Sequence, residues 1–273
     1  SRFDALKIPK TEATLMPRFS ANLSTMFREY SHLDRPRAAF EAGFRCVEMQ
    51  FPYDLDLNDL AASLQEYSLS VSVLNVPSGD FIKGGEGNAA IPERTHGFRE
   101  SVAQAKRFAQ RINPLNVNIL AGEPARTRHG ETCRRTLADN LHHAAGEFAD
   151  IGVRVVVEAI NNIDRPDFML NTAESVIDIL DRANHPNLAL QFDVYHMAMM
   201  GIPVVDAFEA HSTRIGHIQF ADAPGRHEPS TGSVEFGPIF DAIDRSGYDG
   251  WVAAEYFPAN GTEDSLSWMQ DYS

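Results

Sequence analysis

Eight short apolar runs of β type alternate with segments of helical periodicity along this chain, and this alternation constrains its fold more than any other feature. The predicted strands lie at residues 19–23, 45–49, 71–76, 116–120, 154–158, 188–193, 216–220 and 251–255. The predicted helices lie at residues 33–42, 57–67, 92–111, 132–150, 172–183, 204–211, 236–246 and 262–271. Repeated strand–helix units are typical of a parallel sheet covered by helices. Eight of them predict an α/β fold in which the sheet closes into a single-domain (β/α)8 TIM barrel.

The length of the chain fits one barrel of this kind. It has 273 residues, of which 43% are hydrophobic, and such barrels typically have about 250 residues. We predict that the barrel occupies residues 16–273. Residues 1–15 mix charges and proline without a period, and we interpret them as an N-terminal arm or a remnant of protein expression. Charged side chains interrupt this segment, so it does not resemble a signal peptide.

The charge and cysteine content exclude several classes of partner. The chain has 38 acidic and 24 basic residues, a formal net charge of −14, which repels nucleic acid and anionic lipid surfaces. No apolar stretch approaches the roughly 20 residues of a transmembrane helix. Cys46 and Cys133 are the only cysteines, so a cytoplasmic protein without a disulfide framework is predicted. We expect no nucleic acid and no membrane partner, and a homo-oligomer is left open.

Four of the later strands end in residues that can bind a hard divalent cation. These residues, here called the rim set, are Glu158, Asp193, Gln219 and Glu255. The carboxyl ends of barrel strands meet at one rim, which is where barrel enzymes hold their active sites. Three carboxylates and one amide oxygen suit Mg²⁺ or Mn²⁺, whereas Zn²⁺ more often takes His or Cys. The sequence therefore predicts a divalent metal site at this rim; the alternative is that these polar strand ends are incidental.

Glu158 and Glu255 are the predicted catalytic pair, because strands five and eight lie on different sides of the barrel mouth. An α-hydroxy carbonyl compound bound to the metal would have an acidified α-proton. One carboxylate could remove this proton and the other could return it, with an enediolate between the two steps. The alternative is that both glutamates bind the metal only.

The first three strands also end in polar residues, namely Asn22, Glu48 and Asn75. We assign Glu48 and Asn75 to substrate binding. The alternative is that they are ordinary polar residues at the ends of core strands.

Several segments together resemble the hydroxypyruvate isomerases, which are similar to the xylose isomerase-type barrels. They are residues 19–24 (FSANLS), 47–53 (VEMQFPY), 157–159 (VEA), 191–196 (QFDVYH), 218–222 (IQFAD), 224–229 (PGRHEP) and 247–251 (GYDGW), with Glu255 and Tyr256. The resemblance covers essentially residues 16–272. It implies a (β/α)8 barrel with a divalent metal that isomerises hydroxypyruvate to tartronate semialdehyde. It also implies that the rim set binds the metal and that Glu158 and Glu255 act as acid and base.

Gln219 departs from the related ketose 3-epimerases, in which His commonly stands at this strand end, and so favours the hydroxypyruvate isomerase branch. Some members of this branch resemble 2-oxo-tetronate isomerases. A 2-oxo-tetronate isomerase and a ketose 3-epimerase therefore stay as alternatives.

The implied substrate is a small hydroxy-oxo-carboxylate, and a cation must meet its carboxylate. Arg226, in the long loop after the seventh strand, can do so with two hydrogen bonds; the alternative is a solvated arginine paired with Glu228. His196 stands three residues after Asp193 and is predicted to hydrogen-bond a substrate oxygen or to support the metal site. The alternative for His196 is simple packing.

Two other classes of protein share the predicted fold. A metal-dependent endonuclease for abasic DNA would need more His ligands and a basic groove, which the net charge and Gln219 oppose. A non-catalytic sugar-binding barrel would bind its ligand without exchanging a substrate proton with solvent.

Overall fold

The computed structural model describes residues 17–125 and 130–272, and within them eight parallel strands form a closed barrel in sequential order. The strands are β1 (Arg18–Asn22), β2 (Cys46–Met49), β3 (Ser70–Asn75), β4 (Asn116–Ile119), β5 (Arg154–Glu158), β6 (Leu188–Asp193), β7 (Ile215–Phe220) and β8 (Trp251–Ala254). The barrel closes where β1 pairs with β8, with Ala21 opposite Ala254. The predicted single-domain (β/α)8 barrel is confirmed, while the arm predicted at residues 1–15 lies outside the described residues.

Helices follow the strands and cover the outside of the barrel. Within the described residues they are α1 (Arg35–Glu41), α2 (Leu57–Glu66), α3 (Thr95–Ile112), α4 (Glu131–Ala149), α5 (Ala173–Ala183), α6 (Val194–Met199), α7 (Val204–His211) and α8 (Phe236–Arg245). The clearest sequence signal for a helix start is found at α5. There the Thr172 hydroxyl accepts the Ser175 backbone N–H and the Ser175 hydroxyl accepts the Thr172 backbone N–H, which forms a capping box.

Two helical segments differ from the sequence prediction. The short helix α6 was not predicted; it follows β6 directly, and the Asp193 carboxylate caps it by accepting the Tyr195 N–H at 2.8 Å. The segment predicted as a helix at residues 262–271 contains a 3-10 helix (Asp264–Gln270) instead of an α-helix. At its start the Ser265 hydroxyl donates to the Thr262 carbonyl at 2.7 Å, and such local bonds compete with α-helical pairing.

The two faces of the strands have different surroundings. Phe220, at the end of β7, packs outward against Phe236, Phe240 and Trp268, with ring centroids 5.2 to 5.6 Å apart. Its neighbour Gln219 points inward, because successive side chains of a strand alternate between its faces. The interior is polar and hydrogen-bonded across the barrel, as in the 3.2 Å contact between the Ser20 and Ser72 hydroxyls. The strands therefore aim polar side chains at the centre of the barrel and at its mouth.

Within the part of the chain that the structure describes, no helix has the length and apolar character that crossing a bilayer requires.

Candidate metal and substrate site

The rim set comes together at the carboxyl ends of the last four strands. Glu158 ends β5, Asp193 ends β6, Gln219 precedes the last residue of β7, and Glu255 follows β8. Asp193 lies opposite Gln219 in the β6–β7 pairing. All four side chains are buried. The strand ends that the sequence predicted to share one rim do so.

His196 joins two members of the rim set in a compact group. One potential ligand atom from each of Glu158, Asp193 and His196 lies within 4.8 Å of the others. The Nε2 atom of His196 is 3.6 Å from Glu158 Oε1 and 3.5 Å from Asp193 Oδ2. These three buried residues form a group that could hold a divalent metal.

The tautomer of His196 follows from its other ring nitrogen. The backbone N–H of Asn161 donates to His196 Nδ1 at 3.3 Å, and the Asn161 side-chain amide contacts the same atom at 2.8 Å. Burial, together with the positive charge of Arg226, lowers the pKa of His196 well below its ordinary value. A neutral imidazole that accepts at Nδ1 carries its proton on Nε2. His196 therefore presents a hydrogen-bond donor to the site, although simple proximity would also suit it as a metal ligand.

One oxygen of the Glu158 carboxylate accepts a side-chain hydrogen bond from the protein. Its Oε2 accepts the side-chain amide of Asn118 at 3.0 Å, and the same amide group contacts Asn75 Oδ1 at 3.2 Å. Burial, and then the charges of Glu255 and Asp193, raise the pKa of Glu158 well above its ordinary value. Its Oε1 is the oxygen that approaches His196. Asn118 was missed from the sequence, although a polar residue at every second position of β4 was a signal for it.

Glu255 is held through both oxygens. Its Oε1 accepts the amides of Asn22 at 2.8 Å and Gln50 at 2.9 Å, and its Oε2 accepts Arg226 at 2.7 Å. Burial raises the pKa of Glu255 to about 7, although Arg226 opposes the shift. The two predicted catalytic carboxylates therefore differ in their hydrogen-bonding environment. Gln50 was not predicted from the sequence.

Arg226 reaches into the site from the loop after β7. Its guanidinium lies 4.9 Å from the ring centre of Tyr195 and 3.8 Å from Asp193 Oδ2. The carboxylates around Arg226 outweigh its burial and raise its pKa. The alternative pairing with Glu228 is not formed: the Glu228 carboxylate instead accepts the backbone N–H of Ala259 at 3.0 Å.

Asp222, also missed from the sequence, builds the loop that carries Arg226. Its carboxylate accepts the backbone N–H groups of Ala223, Thr231, Gly232 and Val234, at 2.8 to 3.1 Å. A side chain at Gly232 would collide with the Ala223 carbonyl and the Asp222 carboxylate. The loop can close tightly around Asp222 because residue 232 is glycine.

The two residues assigned to substrate binding from the early strands differ in position. Asn75 is 8% exposed and contacts Asn118 as described, so it borders the surroundings of Glu158. Glu48 is 0% exposed and accepts the amides of Asn22 at 2.8 Å and Gln219 at 2.7 Å. It also accepts His217 Nε2 at 2.7 Å. Glu48 lies beneath the rim set, enclosed by protein donors.

The donor set fits a hard divalent cation. Three buried carboxylates of the rim set face the guanidinium of Arg226. Burial raises the pKa of Asp193 to about 6 against the opposing charge of Arg226, so these carboxylates are costly to ionise together. A divalent cation reverses this repulsion, and carboxylate and amide oxygens are the ligands that Mg²⁺ and Mn²⁺ prefer.

The chain matches known proteins over nearly its whole length. The model of the xylose isomerase-like TIM barrel family matches residues 36–272. Hydroxypyruvate isomerase from Escherichia coli K12 is 38% identical over 257 residues, which are 94% of this chain and 100% of that protein. The 2-oxo-tetronate isomerase from Cupriavidus necator is also 38% identical over 257 residues, 94% of this chain and 99% of that protein.

A solved structure has nearly the same backbone. The crystal structure of a protein from Brucella melitensis described as AP endonuclease, family 2, has a TM-score of 0.91 and 36% sequence identity to this chain. The match covers 94% of this chain and 99% of that one.

Proposed function

Because the chain belongs to the hydroxypyruvate isomerase family of xylose isomerase-like TIM barrels, we propose that it interconverts hydroxypyruvate and tartronate semialdehyde with the help of a divalent metal. The relatives from Escherichia coli and Cupriavidus necator, which match over nearly the full length, are isomerases by name, and this chain is an isomerase as well. The observation that supports the specific reaction is that two buried carboxylates, Glu158 at the end of β5 and Glu255 directly after β8, lie at one rim of the barrel, with Arg226 2.7 Å from Glu255.

The proposed reaction moves one proton between neighbouring carbons. One of Glu158 and Glu255 takes a proton from C3 of hydroxypyruvate, the other delivers a proton to C2, and proton exchange with solvent then restores the starting state of both carboxylates. The proton of the C3 hydroxyl moves to the C2 oxygen, so the product has the same formula, with an aldehyde at C3 and a hydroxyl at C2. Acid and base groups transfer protons best when their pKa lies near the working pH, and in the metal-free protein burial raises the pKa of Glu255 to about 7.

Arg226 is the proposed partner of the substrate carboxylate. The Nε–H of Arg226 is buried and lacks a hydrogen-bond partner among the described residues, so the guanidinium retains a donor for a ligand. The ring of Tyr195 lies beneath it and restricts its orientation. Guanidinium and carboxylate groups match each other in planar geometry and charge.

His196 is the proposed donor to a substrate oxygen. Its Nε2–H points towards the space between Glu158 and Asp193. Its Nδ1 is fixed by Asn161, which holds the ring in the donor tautomer. A hydrogen bond from a neutral imidazole can stabilise the negative charge that develops on an oxygen as the neighbouring C–H bond breaks.

The rim set would hold the metal, and Mg²⁺ or Mn²⁺ is the proposed ion. When bound, the ion would polarise the substrate oxygens and acidify the C–H bond between them. Around this ion, Arg226 would orient the substrate carboxylate, His196 would donate a hydrogen bond to a substrate oxygen, and Glu158 and Glu255 would transfer the protons.

Proton NMR in D₂O tests the proposal directly. Protein loaded with Mg²⁺ or Mn²⁺ is given hydroxypyruvate, and the spectra follow formation of tartronate semialdehyde and deuteration of its α-carbon. Chelator-treated protein and the metal-loaded Glu158→Gln variant serve as controls. We expect conversion in the loaded wild-type protein only. A loaded wild-type protein that neither converts the substrate nor exchanges its protons would overturn the assignment, and binding without exchange would favour a sugar-binding barrel.

A 2-oxo-tetronate isomerase is the second candidate, because the relative with that name has the same identity to this chain as the hydroxypyruvate isomerase. Both reactions would use the same acid–base pair. The same NMR experiment with 2-oxo-tetronate separates them: faster conversion of the four-carbon substrate would replace hydroxypyruvate as the assignment.

The description of the Brucella structure makes cleavage of abasic DNA a further test. An acidic chain with net charge −14 repels a DNA backbone. We expect no metal-dependent cleavage of an abasic duplex under conditions in which hydroxypyruvate is converted.

A further inference from the structure

We propose that Glu48 is a positioning residue that determines which end of the Gln219 amide is available to the metal. The inference rests on the proposed function only in taking Gln219 as a metal ligand. It also gives Glu48 a role other than the substrate binding first assigned to it, because its carboxylate is enclosed beneath the site.

The carboxylate of Glu48 is surrounded by hydrogen-bond donors from three other strands. Its Oε1 accepts the amides of Asn22 on β1 and Gln219 on β7, at 2.8 and 2.7 Å. Its Oε2 accepts His217 Nε2 on β7 at 2.7 Å and, more weakly, the Ser72 hydroxyl on β3 at 3.5 Å. Because the side chain is 0% exposed, no substrate can reach it without displacing these partners.

The two ends of a glutamine amide have nearly the same shape but opposite chemistry. The oxygen can bind a hard cation, and the NH₂ group cannot. The carboxylate oxygen Oε1 of Glu48 accepts the NH₂ end of Gln219 at 2.7 Å. The Oε1 of Gln219 then faces away from Glu48 and accepts the Gln191 amide at 2.6 Å. Gln191 lies on β6, the strand that ends in Asp193, so the oxygen is directed towards the strand that carries another proposed ligand.

Glu48 acts on Glu255 in the same way, through Asn22. The NH₂ group of Asn22 donates both to Glu48 Oε1 and to Glu255 Oε1, each at 2.8 Å. One buried carboxylate therefore orients two amides that adjoin the rim set. On the side away from the two amides, the other carboxylate oxygen of Glu48 contacts His217 Nε2 at 2.7 Å.

The Glu48→Gln variant tests this role with almost no change in volume. The variant has one acceptor oxygen for donors that Glu48 serves with two, so the amides of Gln219 and Asn22 compete for it with His217. Where the new NH₂ group faces Gln219, this residue is expected to turn and present nitrogen to the metal. Loss of a residue that orients a ligand typically weakens metal binding by about tenfold to 100-fold. We expect the Kd for Mn²⁺, measured by electron paramagnetic resonance on metal-free protein, to rise by at least about tenfold. Glu41→Gln, at an exposed position of helix α1, is the matched control and should leave this Kd unchanged.

Exchanging the residue types at positions 48 and 219 distinguishes an orienting role of Glu48 from a role in packing. The Gln219→Glu variant places a second carboxylate against Glu48 and should also bind Mn²⁺ weakly. In the double variant Glu48→Gln, Gln219→Glu, a donor and an acceptor again face each other, although in reverse order. We expect the double variant to bind Mn²⁺ at least about tenfold more tightly than the product of the two single effects predicts. Multiplicative single effects would overturn the orientation role.

Excess metal gives a second readout. If Glu48→Gln acts through metal affinity, saturating Mn²⁺ should recover most of the isomerase kcat, whereas damage to the fold would not respond to metal. The inference about Glu48 would be overturned if the wild-type protein binds Mn²⁺ and converts substrate while the Mn²⁺ Kd of Glu48→Gln stays within twofold of the wild-type value. The proposed function would be unaffected by this outcome. Wild-type protein that binds no Mn²⁺ would overturn the proposed metal site and the inference with it.

A measurement on the wild-type protein keeps the inference testable if Glu48→Gln does not fold. The side-chain NH₂ protons of Gln219, observed by ¹⁵N NMR in the Mg²⁺-loaded protein, should exchange slowly with water because they remain bound to Glu48. Fast exchange of these protons would show that the NH₂ group has left Glu48 and would contradict the proposed orientation.

Discussion

The guanidinium of Arg226 lies 2.7 Å from Glu255 Oε2, so the proposed substrate-binding cation contacts one of the two proposed catalytic carboxylates. The loop that makes this contact is held by Asp222, whose carbonyl also accepts the Arg226 backbone N–H at 3.0 Å. The proposed recognition of the substrate carboxylate and the proposed proton transfer therefore depend on two neighbouring side chains. A substrate carboxylate that binds Arg226 comes close to Glu255.

Replacing Arg226 by alanine should mainly raise KM for hydroxypyruvate. Its contact with the substrate carboxylate is made in the ground state and in the transition state alike, so its loss affects binding more than turnover. A charge-assisted hydrogen bond contributes about 1.5 to 3 kcal/mol, which corresponds to a rise in KM of about tenfold to 100-fold. Steady-state kinetics measure the effect, and Arg214→Ala, at a partly exposed position where the arginine pairs with Asp181, is the control. An unchanged KM would remove Arg226 from substrate binding.

The Glu158→Gln and Glu255→Gln variants should each lose most of their turnover while keeping the fold. An amide can neither take up nor deliver the substrate proton, and general acid–base catalysis typically contributes about 10²- to 10⁴-fold. The kcat should be measured at saturating Mn²⁺, with the Mn²⁺ Kd determined in parallel, because both residues are also proposed metal ligands. Near-normal kcat in a variant with full metal occupancy would exclude that residue as acid or base.

His196→Gln should separate hydrogen bonding from metal binding. Because Asn161 fixes Nδ1 as the acceptor, the proton on Nε2 prevents His196 from ligating the metal through that atom. We expect kcat/KM to fall by about tenfold or more, as expected for loss of a hydrogen bond to a developing charge, while the Mn²⁺ Kd stays within twofold of wild type. A tenfold rise in Kd would instead make His196 a ligand together with Glu158 and Asp193.

The barrel and the rim set could be predicted because both depend on local patterns. Strand–helix alternation predicts the barrel, and the two-residue period of a strand predicts which side chains point inward. Glu158, Asp193 and Gln219 each lie at an inward position at the end of a strand, so three independent local patterns converge at one rim once the sheet closes.

The depth of a side chain inside the barrel could not be predicted in this way. Glu48 shares its strand-end pattern with the rim set, but its burial comes from His217 and Gln219, which are 169 and 171 residues away in the chain. Such contacts depend on how the strands are staggered around the closed barrel. Asp222 was missed for a related reason: its role becomes visible only from the backbone N–H groups that it contacts.

The metal-free protein should show a stability change with pH that can be traced to Glu255. The pKa of Glu255 is raised to about 7 in the folded state, with burial as the main cause, so the folded state binds its proton more tightly than the unfolded chain does. Its contribution to stability is therefore fully present below the ordinary carboxyl pKa and is lost as the pH rises towards and through about 7. Glu255→Gln has no such proton. The Tm of chelator-treated wild type minus that of Glu255→Gln should thus decrease from pH 5 to pH 8, and a constant or increasing difference would contradict the raised pKa.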